Sequence, residues 1–257
     1  MSILIIHILT ALVVLSTYSL RLPESYLDPN YGFLIGTPEE KLLYVIKTAK
    51  SRDDSEMLAR GLDRLAQLYD EQNRYAEAEL YYLLAIHTLQ RAYKKDDLEI
   101  GLEYESLTTH YVKCNDLQLA QRANLKALTI LRKHESDNPI QLAIVLHNEA
   151  WLEGSIGKTD NAENYLLESL DMLKRQFGAN HLMVGIAANA LAELYVRNSD
   201  YHRAEQYLQM ALEIVPQSLD TKSITKRMMS NYALVLRKNH KYSAASQIEE
   251  HTKSNFQ

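Results

Sequence analysis

The sequence predicts an all-α chain, an α-solenoid built of antiparallel helix pairs. Three observations predict it. Gly (8) and Pro (5) are sparse among 257 residues, and without alternating Val/Ile/Thr runs such a chain leans towards long helices. Small residues recur at a step of 42, at Ala78, Ala120, Ala162 and Ala204, with Ala85, Ala127, Ser169 and Ala211 seven residues further on. Turn-forming residues separate the helical runs: Asn73, Asn115, Gly157 and the pairs Asn198-Ser199 and Asn239-His240.

The first element, residues 1–19, is set apart by the apolar run Ile3–Leu15. As a helix that run spans roughly 20 Å, short of the ~30 Å hydrocarbon core of a bilayer. Thr17 and Ser19 follow at the spacing of a signal-peptidase site, although no Lys or Arg precedes the run. Extended to Leu20, it becomes a marginal span of about 27 Å. Two readings stay open: an exported protein with a cleaved signal peptide, periplasmic or secreted, or an N-terminally membrane-anchored one. Residues 20–36, punctuated by Pro23, Pro29, Gly32 and Gly36, read as an extended tether. Residues 37–56 read as an N-terminal capping helix. Thr37 caps it, Pro38 suits its first position, Glu40 completes a capping box, and Leu42, Leu43, Val45 and Ile46 supply an apolar face.

Five repeats follow, over 57–98, 99–140, 141–182, 183–223 and 224–257. Nine residues before each register alanine stand Tyr69, Tyr111, Glu153 and Tyr195, and twelve before it Ala66, Thr108, Ala150 and Ala192. A fifth copy comes one residue early, with Ala233, Leu236, Tyr242 and Ala245. A small residue midway along one helix lets the next approach closely, and a large neighbour fills the adjacent gap. One helix pair cannot bury its own apolar face, so pairs must stack. Repeat three departs most, with Glu149, Glu153 and Ser169 at apolar or small positions, and repeat five looks truncated in its second helix; both predict lower local stability.

Phe177–Val215 and Gly61–Ile100, with the register around them, resemble tetratricopeptide repeats of the kinesin-light-chain type, over roughly Met57–Gln257. The resemblance implies a right-handed superhelix whose first helices line a concave groove for a peptide or partner protein. It aligns the following residues to that groove: Asp63, Gln67, Asp70, Glu105, His147, Asn148, Trp151, Asn189, Glu193, Arg197, Arg227, Asn231, Arg237 and Lys238. It aligns Arg60, Glu71, Thr109, Lys113, Ser155, Ser230 and Leu234 to the groove as well.

Asn148, Asn189 and Asn231 sit at or beside the place where the resembled family often carries Asn. A carboxamide both donates and accepts, so it can clamp an extended backbone, or it can bond between helices. Trp151, the one Trp, is either a binding hot spot or an inter-helix packing residue. Thr221–Lys241 carries six Lys/Arg and no acid, whereas repeat one is mainly acidic, which predicts a groove with a basic C-terminal end and an acidic N-terminal end. The two-Lys, two-Asn, one-Arg carboxylate clamp of chaperone-binding relatives is not matched.

Chemistry is sparse. One cysteine, Cys114, excludes an internal disulfide and a Cys-based zinc cluster. GSIGKT at Gly154–Thr159 ends like a phosphate-binding loop, but Leu152 stands where its first Gly is needed and no strand precedes it. The nine histidines are scattered, and no nucleophile–base constellation is visible in the sequence. A net charge of −5 argues against a global nucleic-acid binder. The sequence thus predicts a non-enzymatic interaction module with no cofactor or metal, a protein or peptide partner, no nucleic acid, and membrane contact only through an uncleaved N-terminal segment. The alternative is a structural solenoid or assembly subunit with no groove ligand, and less so an enzyme accessory subunit.

Overall fold

A computed structural model of the chain describes residues 36–215 and 221–255. The signal or anchor segment and the tether up to residue 35 lie outside the described residues. Those described form eleven α-helices and a 3-10 turn at Arg132–His134, with no strand among them. The chain divides into two compact units, Met1–Gln141 and Leu142–Gln257. The first holds α1 (Pro38–Ser51), α2 (Ser55–Glu71), α3 (Tyr75–Ala92), α4 (Leu98–Lys113) and α5 (Leu117–Leu131). The second holds α6 (Pro139–Ser155), whose first turn lies at the boundary, then α7 (Thr159–Phe177), α8 (Leu182–Arg197), α9 (Tyr201–Ile214), α10 (Lys222–Lys238) and α11 (Tyr242–Asn255).

Caps fix where the helices begin. At α1 the expected capping box is present: Glu40 N donates to Thr37 Oγ1 (3.2 Å) and Thr37 N donates to Glu40 Oε2 (2.7 Å). The first helix of each repeat starts one or two residues before its expected boundary. At three of them a side chain just upstream takes an orphan amide: Asp54 accepts from Met57 N, Asp97 from Glu99 N and His181 from Met183 N. Of the apolar face expected on α1, Ile46 is buried, but Leu43 stands exposed beside Tyr44.

Turns between paired helices repeat one hydrogen bond. Arg74 N donates to Tyr69 O, Asp116 N to Tyr111 O, Lys158 N to Glu153 O, Asp200 N to Tyr195 O and Lys241 N to Leu236 O, all at 2.8–3.0 Å. This six-to-one closure needs a left-handed residue before its donor. Asn73, Asn115, Gly157, Ser199 and His240 are those residues, with φ between 59° and 84°. In the two pairs the second residue, not the Asn, adopts the left-handed conformation, because Asn198 and Asn239 still close the helix with φ of −84° and −88°.

The register alanines do what their size predicts. Ala78, Ala120, Ala162, Ala204, Ala85, Ala127, Ala211 and Ala245 are all 0 % exposed. Ser169 keeps the same place by donating to Ala143 O at 2.8 Å, so a hydroxyl on α7 bonds to the backbone of α6. The register tyrosines are buried rings whose hydroxyls reach a carboxylate of the preceding repeat or, for Tyr69, of the capping helix. Tyr69 donates to Glu39, Tyr111 to Glu79 and Tyr195 to Glu163, at 2.7–2.9 Å. Glu153 replaces this tyrosine in repeat three and is instead held by Lys158 and Asn161 of its own turn and helix pair. The truncation expected in repeat five is corrected: α11 runs 14 residues, as long as α9, but only Ala245 on it is buried.

Candidate functional site

The register places Asp63, Glu105, His147 and Asn189 at one position of successive first helices, α2, α4, α6 and α8; in repeat five, which comes one residue early, Ser230 of α10 takes that position, beside Asn231. One turn later stand Gln67, Thr109, Trp151 and Glu193. None of these belongs to the small-residue packing column. Their surroundings differ between the units.

In the first unit the position is acidic. Asp63 is 6 % exposed and takes a hydrogen bond from Gln67 Nε2 to Oδ2 at 2.7 Å. Burial pushes its carboxyl up to about 6, against the Ser106 hydroxyl and the Arg64 charge. Glu105 is half-buried, yet burial lifts its carboxyl to about 7, with the Asp63 charge adding to it. Asp70 departs from its expected role as an open acidic groove residue. It is buried at the centre of a network: His110 Nδ1 lies 2.7 Å from Oδ1, the Tyr82 hydroxyl donates to Oδ2 at 3.2 Å, and Lys113 Nζ is 3.7 Å from Oδ2.

In the second unit the position turns neutral. His147 is half-buried, and burial alone pulls its imidazole down to about 4. Beside it Asn148 is 4 % exposed, and neither carboxamide atom has a hydrogen-bond partner. Asn189 is also buried; its Nδ2 donates to Glu193 Oε1 at 2.9 Å while Oδ1 has no partner. Asn231 and Trp151 are half-buried. An unmet buried amide costs about 1–3 kcal/mol.

Of the cations expected to make a basic C-terminal end, Arg197, Arg227, Arg237 and Lys238, three have close neighbours. Arg227 Nε lies 3.3 Å from Glu193. Arg237 makes a two-pronged bond to Glu249 of α11, at 2.8 and 2.7 Å, which turns it towards its own partner helix. Lys238 sits over the Tyr201 ring, 5.7 Å from its centroid. Arg197 is exposed and partly desolvated: burial lowers its pKa, against the Glu193 charge. Part of the charge run in the sequence is thus offset by Glu193 and Glu249.

One arrangement escaped the sequence reading. Cys114 Sγ lies 3.5 Å from His110 Nε2, whose other ring nitrogen contacts Asp70, giving a Cys–His–Asp chain across α2 and α4. His110 and Cys114 stand four apart on one helical face, a spacing that was legible, but Asp70 comes from 40 residues away. Burial, with the Asp70 charge next, pushes the thiol up to about 11, the reverse of an activated nucleophile. Among the described residues, no group of three or more His, Cys, Asp or Glu is placed to hold a metal ion, and no helix is long and apolar enough to cross a membrane.

Family models described as tetratricopeptide repeat match residues 58–99, 141–217 and 183–256. Among solved structures, BtubC (BKLC) from P. vanneervenii superposes with a TM-score of 0.74 at 21 % identity, over 86 % of this chain and 91 % of that one. A kinesin-light-chain candidate from Podosopora anserina with nearly identical TPR-like repeats gives 0.65 at 16 % identity, over 76 % and 93 %. Rap protein complexed with Competence and Sporulation Factor gives 0.62 at 15 % identity, over 84 % of this chain and 58 % of that one. At these identities the likeness is one of fold. No curated protein matches the sequence.

Proposed function

This chain belongs to the tetratricopeptide-repeat family, and we propose that it is a non-enzymatic interaction module that holds a peptide or protein segment against the first helices of its repeats. The fold speaks for protein–protein interaction in general. The observation that carries the finer reading is Asn148, a buried carboxamide with two unmet polar atoms. An extended backbone offers one carbonyl and one N–H at the spacing a carboxamide can meet, and the orphan Asn189 Oδ1 adds a second acceptor in the same unit. The half-buried Trp151 ring, one turn from His147, supplies apolar area beside them. Rap protein was solved with Competence and Sporulation Factor, which makes a bound factor on this fold a reasonable template for the reading.

The second reading, an assembly subunit, draws on a different observation. Leu80, Leu83 and Leu84 on α3 and Leu125 on α5 are exposed apolar residues on second helices. A pull-down from the native host with the wild type, Trp151→Ala and Asn148→Ala separates the two. A first-helix binder loses its partner in both variants; a second-helix assembly keeps its stoichiometry in both. The export reading of Ile3–Leu15 is a separate proposal, met by a mature N-terminus near Leu20 and contradicted by an intact Met1 chain in soluble cytosol.

A further inference from the structure

The first unit carries a second orphaned polar cluster. Asp63 of α2 and Glu103 of α4 are both more than nine-tenths buried, and Asp63 Oδ1 and Glu103 Oε2 have no hydrogen-bond partner. Burial holds both carboxyls above the ordinary range; the Asp63 charge adds to the rise at Glu103, and at Asp63 the Asp70 charge adds while the Ser106 and Gln67 hydrogen bonds oppose it. Glu105 and Glu99 on α4 add negative charge to the same cluster, and Tyr82 of α3 feels both Asp63 and Glu103. The cations that face it are few. Arg64 neighbours Asp63, Arg60 lies by Glu99, and Lys113 pairs with Asp70. The half-buried Glu105 and Gln67 border the cluster where it meets solvent.

We propose that this α2–α4 cluster is a specificity site for an arginine side chain of a peptide partner. A guanidinium carries five N–H donors in a planar fork, enough to satisfy both orphan oxygens together, whereas an ammonium offers a single point. Its charge would replace the protons that the empty cluster holds, so binding releases a proton and strengthens as pH rises from 5.5 to 7.5. The inference rests on the reading that this chain binds peptides; it does not rest on Asn148, which belongs to the other unit.

The probe is a random 12-residue peptide library displayed on phage and selected on the full 257-residue chain at pH 7.5. The expected result is a set of peptides sharing one Arg. Replacing that Arg by Gln, or changing the protein to Asp63→Asn/Glu103→Gln, should each weaken binding about tenfold, with no further loss when combined. Calorimetry in buffers of different ionisation enthalpy should show proton release for wild type and none for the double variant. The variant removes only buried charge, and its melting temperature should be equal or higher, which separates lost binding from lost fold. Peptides that depend on Asn148 but share no basic residue would overturn the inference and leave the peptide-binding reading intact. No enriched peptide at all would overturn both.

Discussion

His147 and Asp63 occupy the same register position and titrate in opposite senses. His147 is held down to about 4 by burial, below its unfolded value of 6.5. The folded second unit therefore binds fewer protons than the unfolded chain, and it loses stability as pH falls through 6.5 towards 4. Trp151 is the chain's one Trp, so its fluorescence reports unfolding of that unit. The expected outcome is a urea midpoint that drops between pH 7 and pH 4.5, and a smaller drop in His147→Gln. Asp63 is lifted to about 6 from 3.8, so the folded first unit binds more protons than the unfolded chain. Its contribution is full below pH 3.8 and is lost as pH rises through 6. Asp63→Asn should then stabilise the protein at pH 7.5 by up to about 3 kcal/mol and change little at pH 3.5. A variant less stable than wild type at pH 7.5 would mean that the charged carboxylate has a partner.

Among the elements, turn and packing positions answer to different substitutions. Ser199 is left-handed at φ 59° without the advantage of Asn or Gly. Ser199→Gly should raise stability by about 0.5–1 kcal/mol in chemical denaturation, while Gly157→Ala at φ 84° should lower it. Ala204, 0 % exposed, tests the packing: Ala204→Leu should cost about 1–3 kcal/mol. The glycine of α8 is tighter still. A Cβ on Gly185 would lie 2.7 Å from Val215 Cγ2 and 3.1 Å from Ile214 Cγ2, so Gly185→Val should cost at least as much.

These elements were legible because a repeat states its register several times over. Alanines 42 residues apart, punctuated by Asn and Gly, leave few alternatives to helix pairs. The side-chain chemistry was less legible. Arg237 reads as a groove cation by alignment, but Glu249, twelve residues away on the partner helix, redirects it. Asp70 reads as an open acid until His110 and Tyr82 are brought to it from other helices. Partnerships of this kind depend on pairwise distances that periodicity does not encode. The same holds for Asn148, whose residue type was visible in the sequence but whose lack of partners was not.

For the molecule as a whole, each unit holds buried polar groups without a hydrogen-bond partner among the described residues: carboxyl oxygens in the first and carboxamide atoms in the second. On the proposed function, stability is traded for recognition at such places. The trade is open to a direct measurement on Asn148→Leu, which keeps the side-chain volume and removes both polar atoms. The melting temperature and the affinity for a partner captured by the wild type should be measured on the same sample. We expect the melting temperature to rise by a few degrees and the partner to bind at least tenfold more weakly. A lower melting temperature with unchanged affinity would show that the Asn148 amide serves the fold rather than a ligand, and would contradict the account.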